Sequence, residues 1–246
     1  DSLFFVDGRK IPLAVDRAPR PPPPLGETVP WIRARHDKHV LVPGGEYTPM
    51  GEWIPALRRF RDLVSVIPPI DPGAEAQDPY PLEAASIPGR EPMRLGTVLC
   101  FELLFPARCR VWREQGANVL LNPSNYGWFG ETGFRDQIAA AAALRAAETG
   151  MTVVMAGNTG PTGFWDPLGR EQGRFTRDGG DVEAPTGDPS TTHVRGWARA
   201  GLDTATAPLY VQVGDVPWYV LGVLSFGLAL LRGRGNERRR KPLTRS

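Results

Sequence analysis

Cysteine is scarce in this chain of 246 residues: Cys100 and Cys109 are the two present, too few for a disulfide framework. The three histidines, His36, His39 and His193, are scattered and no Cys-x-x-Cys occurs, so no metal-ligand pattern is expected. An excess of positive charge is also missing from most of the chain. Residues 232–246 hold seven basic side chains and one acid, leaving 22 basic against 26 acidic elsewhere, which excludes a globally basic nucleic-acid binder. The chain starts at Asp1 with neither an initiator methionine nor a signal peptide, as expected of a C-terminal portion of a longer protein.

Hydrophobic residues make up 41%, enough for a buried core, while 28 glycines and 26 prolines predict many turns and long loops. Leu3–Val6 and Ile11–Leu13 read as two short strands around Asp7-Gly8. Pro19–Pro24 reads as a stiff polyproline insertion, and the proline- and acid-rich residues 66–94 as surface loop. From Leu95 the pattern alternates. Strands are predicted over 95–100, 118–122 and 151–156, helices over 108–115 and 134–149 with Gly116 and Gly150 as stops, and a hairpin over 163–169. Such alternation implies an α/β layered domain.

Pro217–Leu231 is a run of fifteen residues without a charge. At ~1.5 Å per residue it covers ~22 Å, short of the ~30 Å hydrocarbon layer. Trp218 and Tyr219 nevertheless stand at one end as interfacial aromatics, and Arg232, Arg234 and Arg238–Lys241 crowd the other. These flanks predict a transmembrane helix over 216–232, with a basic cytoplasmic tail over 233–246.

Chemistry concentrates in two segments. In Leu99-Cys100-Phe101-Glu102 a cysteine ends a buried strand where a helix starts, so that backbone N–H groups converge on it. That setting is expected to lower a thiol pKa and to offer an oxyanion site. Cys109, in a predicted helix between Arg108 and Arg110, reads as structural. In Lys38–Pro49 a lysine opens an apolar strand that ends in a Pro-Gly-Gly-Glu turn; beside a cysteine, it could stabilise a thiolate and then an oxyanion.

Together these segments resemble the carbon–nitrogen hydrolase (nitrilase) superfamily, and more closely its membrane branch, the apolipoprotein N-acyltransferase family. The resemblance rests on Lys38–Glu46 with Leu41-Val42-Pro43, on Cys100-Phe101-Glu102 with Phe105-Pro106, and on Ser124-Asn125-Tyr126-Gly127-Trp128-Phe129-Gly130. Gln137-Ile138-Ala139, Arg145–Glu148, Asn158-Thr159-Gly160 and Gly214-Asp215 extend it over residues 35–231. Tyr126 departs from the family's Asp and Gly44 from its Phe.

The resemblance implies a nitrilase-like α-β-β-α sandwich over residues 1–215, N-terminally incomplete, on the periplasmic side of the inner membrane. It implies transfer of an acyl chain from a phospholipid to a cysteine thiol, and then to the α-amine of a diacylglyceryl-cysteine lipoprotein, with no cofactor. Cys100 would be the nucleophile and Lys38 the oxyanion stabiliser, joined by the Phe101 N–H. Glu46 would orient Lys38, Glu102 would support the nucleophile loop, and Asn125, Trp128 and Phe129 would belong to a substrate loop. The family's general-base glutamate lies far upstream of the lysine; the single glutamate before Lys38 here is Glu27, beside the proline-rich insertion, which is not read as its substitute, so this fragment is expected to lack the base. A soluble amidase or nitrilase, and an inactive membrane-tethered binding protein, are the alternative readings.

Overall fold

A computed structural model describes residues 2–6, 32–51, 53–64, 70–73, 80–82, 92–129, 132–157, 161–172, 174–177, 183–185, 196–199 and 205–239. Its strands and helices follow in chain order as β1 (Ser2–Val6), β2 (Ile32–Asp37), α1 (Pro55–Val64), β3 (Tyr80–Leu82) and β4 (Met93–Thr97). Then come α2 (Pro106–Glu114), β5 (Val119–Ser124), α3 (Phe134–Thr149), β6 (Thr152–Gly157), β7 (Gly163–Trp165) and β8 (Glu171–Gln172). The last elements are β9 (Arg174–Arg177), β10 (Glu183–Pro185), β11 (Gly196–Arg199), α4 (Leu209–Val213) and α5 (Val216–Arg239).

The central sheet has six strands in the order β3-β4-β5-β6-β7-β8. Its middle is parallel, β4 on β5 and β5 on β6, because α2 and α3 carry the chain back between successive strands. Antiparallel strands close both edges. The parallel strands read as apolar runs (Val119-Leu120-Leu121, Val153-Val154-Met155) because helices cover them. Val98, Leu120, Val153 and Met155 meet Ile138, Ala142 and Ala146 of α3 and Cys109 and Trp112 of α2 in one buried core. The small alanines of α3 let that helix approach the sheet closely.

The α/β reading stands, as do both helices, which end at Gly116 and Gly150 with φ of 91° and 65°. The hairpin of 163–169 is also found, as β7 and β8. Its turn is built around buried Asp166, whose carboxylate accepts the N–H groups of Leu168 and Arg170 at 2.9 Å each and Arg170 Nε at 2.8 Å.

Three readings need correction, and one falls partly outside the described residues. The segment opened by Lys38 is not a strand: β2 ends at Asp37 and a turn with a lone Pro43–Tyr47 bridge follows. The N–H groups of His39 and Val40 are taken by a carboxylate instead of a neighbouring strand. Residues 66–94 are not all loop, since Tyr80–Leu82 pairs with β4. Ser2–Val6 is a strand, and its partner is Ile32–Asp37; the second predicted strand, Pro19–Pro24 and Glu27 lie outside the described residues. Finally, α5 forms over the apolar run, but among the described residues no helix is long and apolar enough to cross a membrane. The transmembrane reading of 216–232 is therefore not upheld, as the ~22 Å of its charge-free run already falls short of the hydrocarbon layer.

Candidate active site

The site lies beyond the carboxyl ends of β4 and β5, where open parallel sheets place their ligands. After β4, Val98 and Leu99 lead into a 3-10 turn, Cys100–Leu104, before Pro106 starts α2. Cys100 opens the turn with φ of 52°, a left-handed conformation that side chains other than glycine rarely adopt. It is half-buried, with its Sγ 3.9 Å from the carbonyl oxygen of Asn125 at the end of β5.

Glu102 holds this turn to the loop after β2. It is 1% exposed. One carboxylate oxygen accepts the N–H groups of His39 (2.7 Å) and Val40 (2.8 Å), and the other accepts that of Leu99 (2.6 Å). Burial pushes this carboxyl up, but the group ends below its ordinary value of 4.5. His36 Nε2 stands 3.9 Å from Oε2, beyond hydrogen-bond reach, so the three backbone donors account for the depression.

The same loop buries Lys38, which is 1% exposed. Its Nζ donates to Glu46 Oε1 at 2.5 Å, while Glu46 Oε2 accepts the N–H of Val42 at 2.8 Å. Glu46 is thus fixed at both oxygens and can aim the ammonium. Around Cys100, burial is the largest influence and raises the thiol above 9.0; the charge of Lys38 and the N–H of Phe101 pull it down, and Glu46 opposes them. The expected lowering of this thiol is therefore corrected: desolvation outweighs the positive surroundings, and the resting sulfur is a protonated thiol. Cys109, 0% exposed, is pushed by burial up to about 12, which agrees with a structural role.

The structure thus brings together Cys100, Phe101, Glu102, Lys38 and Glu46. Asn125 joins them through its carbonyl, and its side chain turns back to accept the N–H of Gly127 at 3.1 Å. Trp128 lies on the next 3-10 turn, Gly127–Phe129. Phe129 is stacked on Phe134 at 3.8 Å and belongs to the packing around the core. Glu27 is outside the described residues. Among the described residues no cluster of His, Cys, Asp or Glu could hold a metal ion.

Three residues escaped sequence reasoning as parts of the site. Arg145 of α3 donates to the carbonyl of Leu104 at 3.3 Å and to Glu148 at 2.9 Å, tying the end of the Cys100–Leu104 turn to the helix. Asn122 and Tyr126, each 1% exposed, meet beneath Cys100. The signal for Asn122 was a polar residue closing an otherwise apolar run, which carries no direction until the fold supplies its partners.

The carbon–nitrogen hydrolase family model matches residues 25–182. The chain is similar to an apolipoprotein N-acyltransferase of Geobacter metallireducens, 35% identical over 146 residues that make up 58% of this chain and 26% of that protein. It is also similar to those of Rhodopseudomonas palustris (31% over 204 residues, 82% of this chain and 33% of that protein) and Ralstonia nicotianae (29% over 212 residues, 83% and 35%). The chain thus spans between 26% and 35% of the length of these relatives. A solved amidase from Nesterenkonia sp. shares 19% identity at a TM-score of 0.43, covering 77% of this chain and 56% of the amidase. With the family model matched across most of its length, including the lysine loop and the cysteine turn, the chain belongs to the carbon–nitrogen hydrolase family.

Proposed function

We propose that the chain carries the acyl-transfer centre of an apolipoprotein N-acyltransferase, with Cys100 as nucleophile. The observation that carries this reading is the convergence on one strained cysteine of a buried, carboxylate-oriented lysine and the N–H of Phe101. The relatives named for this activity support it.

Cys100 Sγ attacks the ester carbonyl of a phospholipid. A thioester forms and the lysophospholipid leaves with its alkoxide oxygen protonated. The Phe101 N–H and the Lys38 ammonium stabilise the negative charge on the carbonyl oxygen in the tetrahedral intermediate. The α-amine of a diacylglyceryl-cysteine lipoprotein then attacks the thioester, an amide forms, and the thiol is released. Because the resting thiol is protonated, the first step needs a base, and the resemblance implies a glutamate upstream of Lys38 in that role. A phospholipid donor and a lipid-modified acceptor assign the reaction to the inner membrane, with the catalytic face on the periplasmic side.

The test is acylation of membranes carrying the protein by a labelled phospholipid. A hydroxylamine-sensitive adduct is expected, abolished in Cys100→Ala and kept in Cys109→Ala; an adduct that survives Cys100→Ala overturns the assignment. Release of free fatty acid, with none passed to a lipoprotein amine, would instead favour the hydrolase reading. An impermeant thiol reagent checks the topology, since a Cys100 labelled only after the membrane is broken contradicts the periplasmic site.

A further inference from the structure

The carboxamide of Asn122 is the most completely engaged polar side chain near the nucleophile. Its Nδ2 donates to the carbonyl of Val98 at 2.8 Å and to that of Cys100 at 3.2 Å. Its Oδ1 accepts the hydroxyls of Ser124 and Tyr126, both at 3.0 Å. Both protons and both lone pairs are used, and the two carbonyl partners, which can only accept, fix which way round the amide sits. Tyr126 is itself sandwiched in the core, edge-on to Phe134 at 5.8 Å. The amide is therefore aligned from below by β5 and grips the backbone on both sides of Leu99, including the carbonyl of the residue with the left-handed φ.

We propose that Asn122, oriented by Tyr126, is a positioning residue that holds Cys100 in its left-handed conformation, and with it the thiol beside the Phe101 N–H and the Lys38 charge. This rests on Cys100 being the nucleophile. A non-glycine residue keeps such a φ only where its surroundings over-determine it. Here the turn has Glu102 on the Leu99 N–H and Asn122 on the Cys100 carbonyl, one clamp to each side of the sulfur-bearing residue. An aspartate at 122 would set a carboxylate oxygen against two carbonyl oxygens. Phenylalanine at 126 would keep the ring packing and remove one of the two hydroxyls that orient the amide.

The experiment follows alkylation of Cys100 by iodoacetamide against pH in the full chain, with the modified cysteine assigned by mass spectrometry and the fold checked by circular dichroism. Asn122→Asp and Tyr126→Phe are each expected to slow alkylation by about tenfold and to move the inflection to higher pH, as the sulfur drifts from its positive neighbours. A folded variant whose rate and inflection match the wild type overturns the proposal. Should Asn122→Asp fail to fold, Tyr126→Phe decides the matter, since it deletes a single hydroxyl. The measurement needs no acyl donor, so its outcome is separate from the Cys100→Ala adduct test on which the proposed activity stands.

Discussion

Lys38 and Glu46, eight residues apart, form an ion pair of 2.5 Å with side chains 1% and 9% exposed. Removing one partner of a buried pair leaves an uncompensated charge, at a cost of about 3–5 kcal/mol. Glu46→Ala is expected to lower the unfolding free energy by that amount, read from urea denaturation. Lys38→Ala leaves Glu46 with the Val42 N–H as a remaining donor; it is expected to slow acylation more than Glu102→Gln does. Equal or reversed effects in the acylation assay would remove the oxyanion role of Lys38.

Glu102 links stability to acidity. Its folded-state pKa lies below the ordinary value of 4.5, so the stability it contributes is complete above that value and is lost as pH falls through the depressed one. Thermal unfolding followed from neutral pH into this acidic window is expected to show a loss of stability that is smaller in Glu102→Gln. The variant itself places an amide NH2 against a backbone N–H donor and unfolds more easily at neutral pH.

The two thiols separate by reactivity. Cys100 is half-buried with a pKa raised above 9.0, so its alkylation should accelerate as pH rises past that value. Cys109, 0% exposed and near 12, should stay unmodified until the protein is denatured. Mass spectrometry of each cysteine with and without denaturant checks both statements.

Gly96 of β4 lies directly against Trp112 of α2. A Cβ there would stand 2.7 Å from the Trp112 ring. Gly96→Ala is expected to cost about 1–3 kcal/mol through overpacking, read as a lowered urea midpoint. Trp112→Leu should recover part of the loss in the double variant.

The parallel core was legible because its strands are short apolar runs bounded by helices with glycine stops, signals local to the chain. Cys100, Lys38, Glu46 and Glu102 were legible as residue types in known blocks. What the sequence could not disclose was which backbone groups Glu102 would take: its donors at positions 39 and 40 are 63 and 62 residues away, and by binding them it turns a segment of strand-like composition into a loop. The Asn122–Tyr126 contact was hidden for a similar reason, since a hydroxyl four residues on can serve an amide only where the chain bends sharply after β5. The pKa of Cys100 was misjudged because positive neighbours are visible in a sequence and desolvation is not.

The left-handed backbone at Cys100 sets durability against activity at a single position. Asparagine or glycine would sit there with less steric conflict than cysteine. Selection for heat resistance alone would discard the sulfur first. A stabilised variant library screened only by melting should therefore enrich substitutions of Cys100, and screening must be coupled to turnover to keep the sulfur that the proposed mechanism uses.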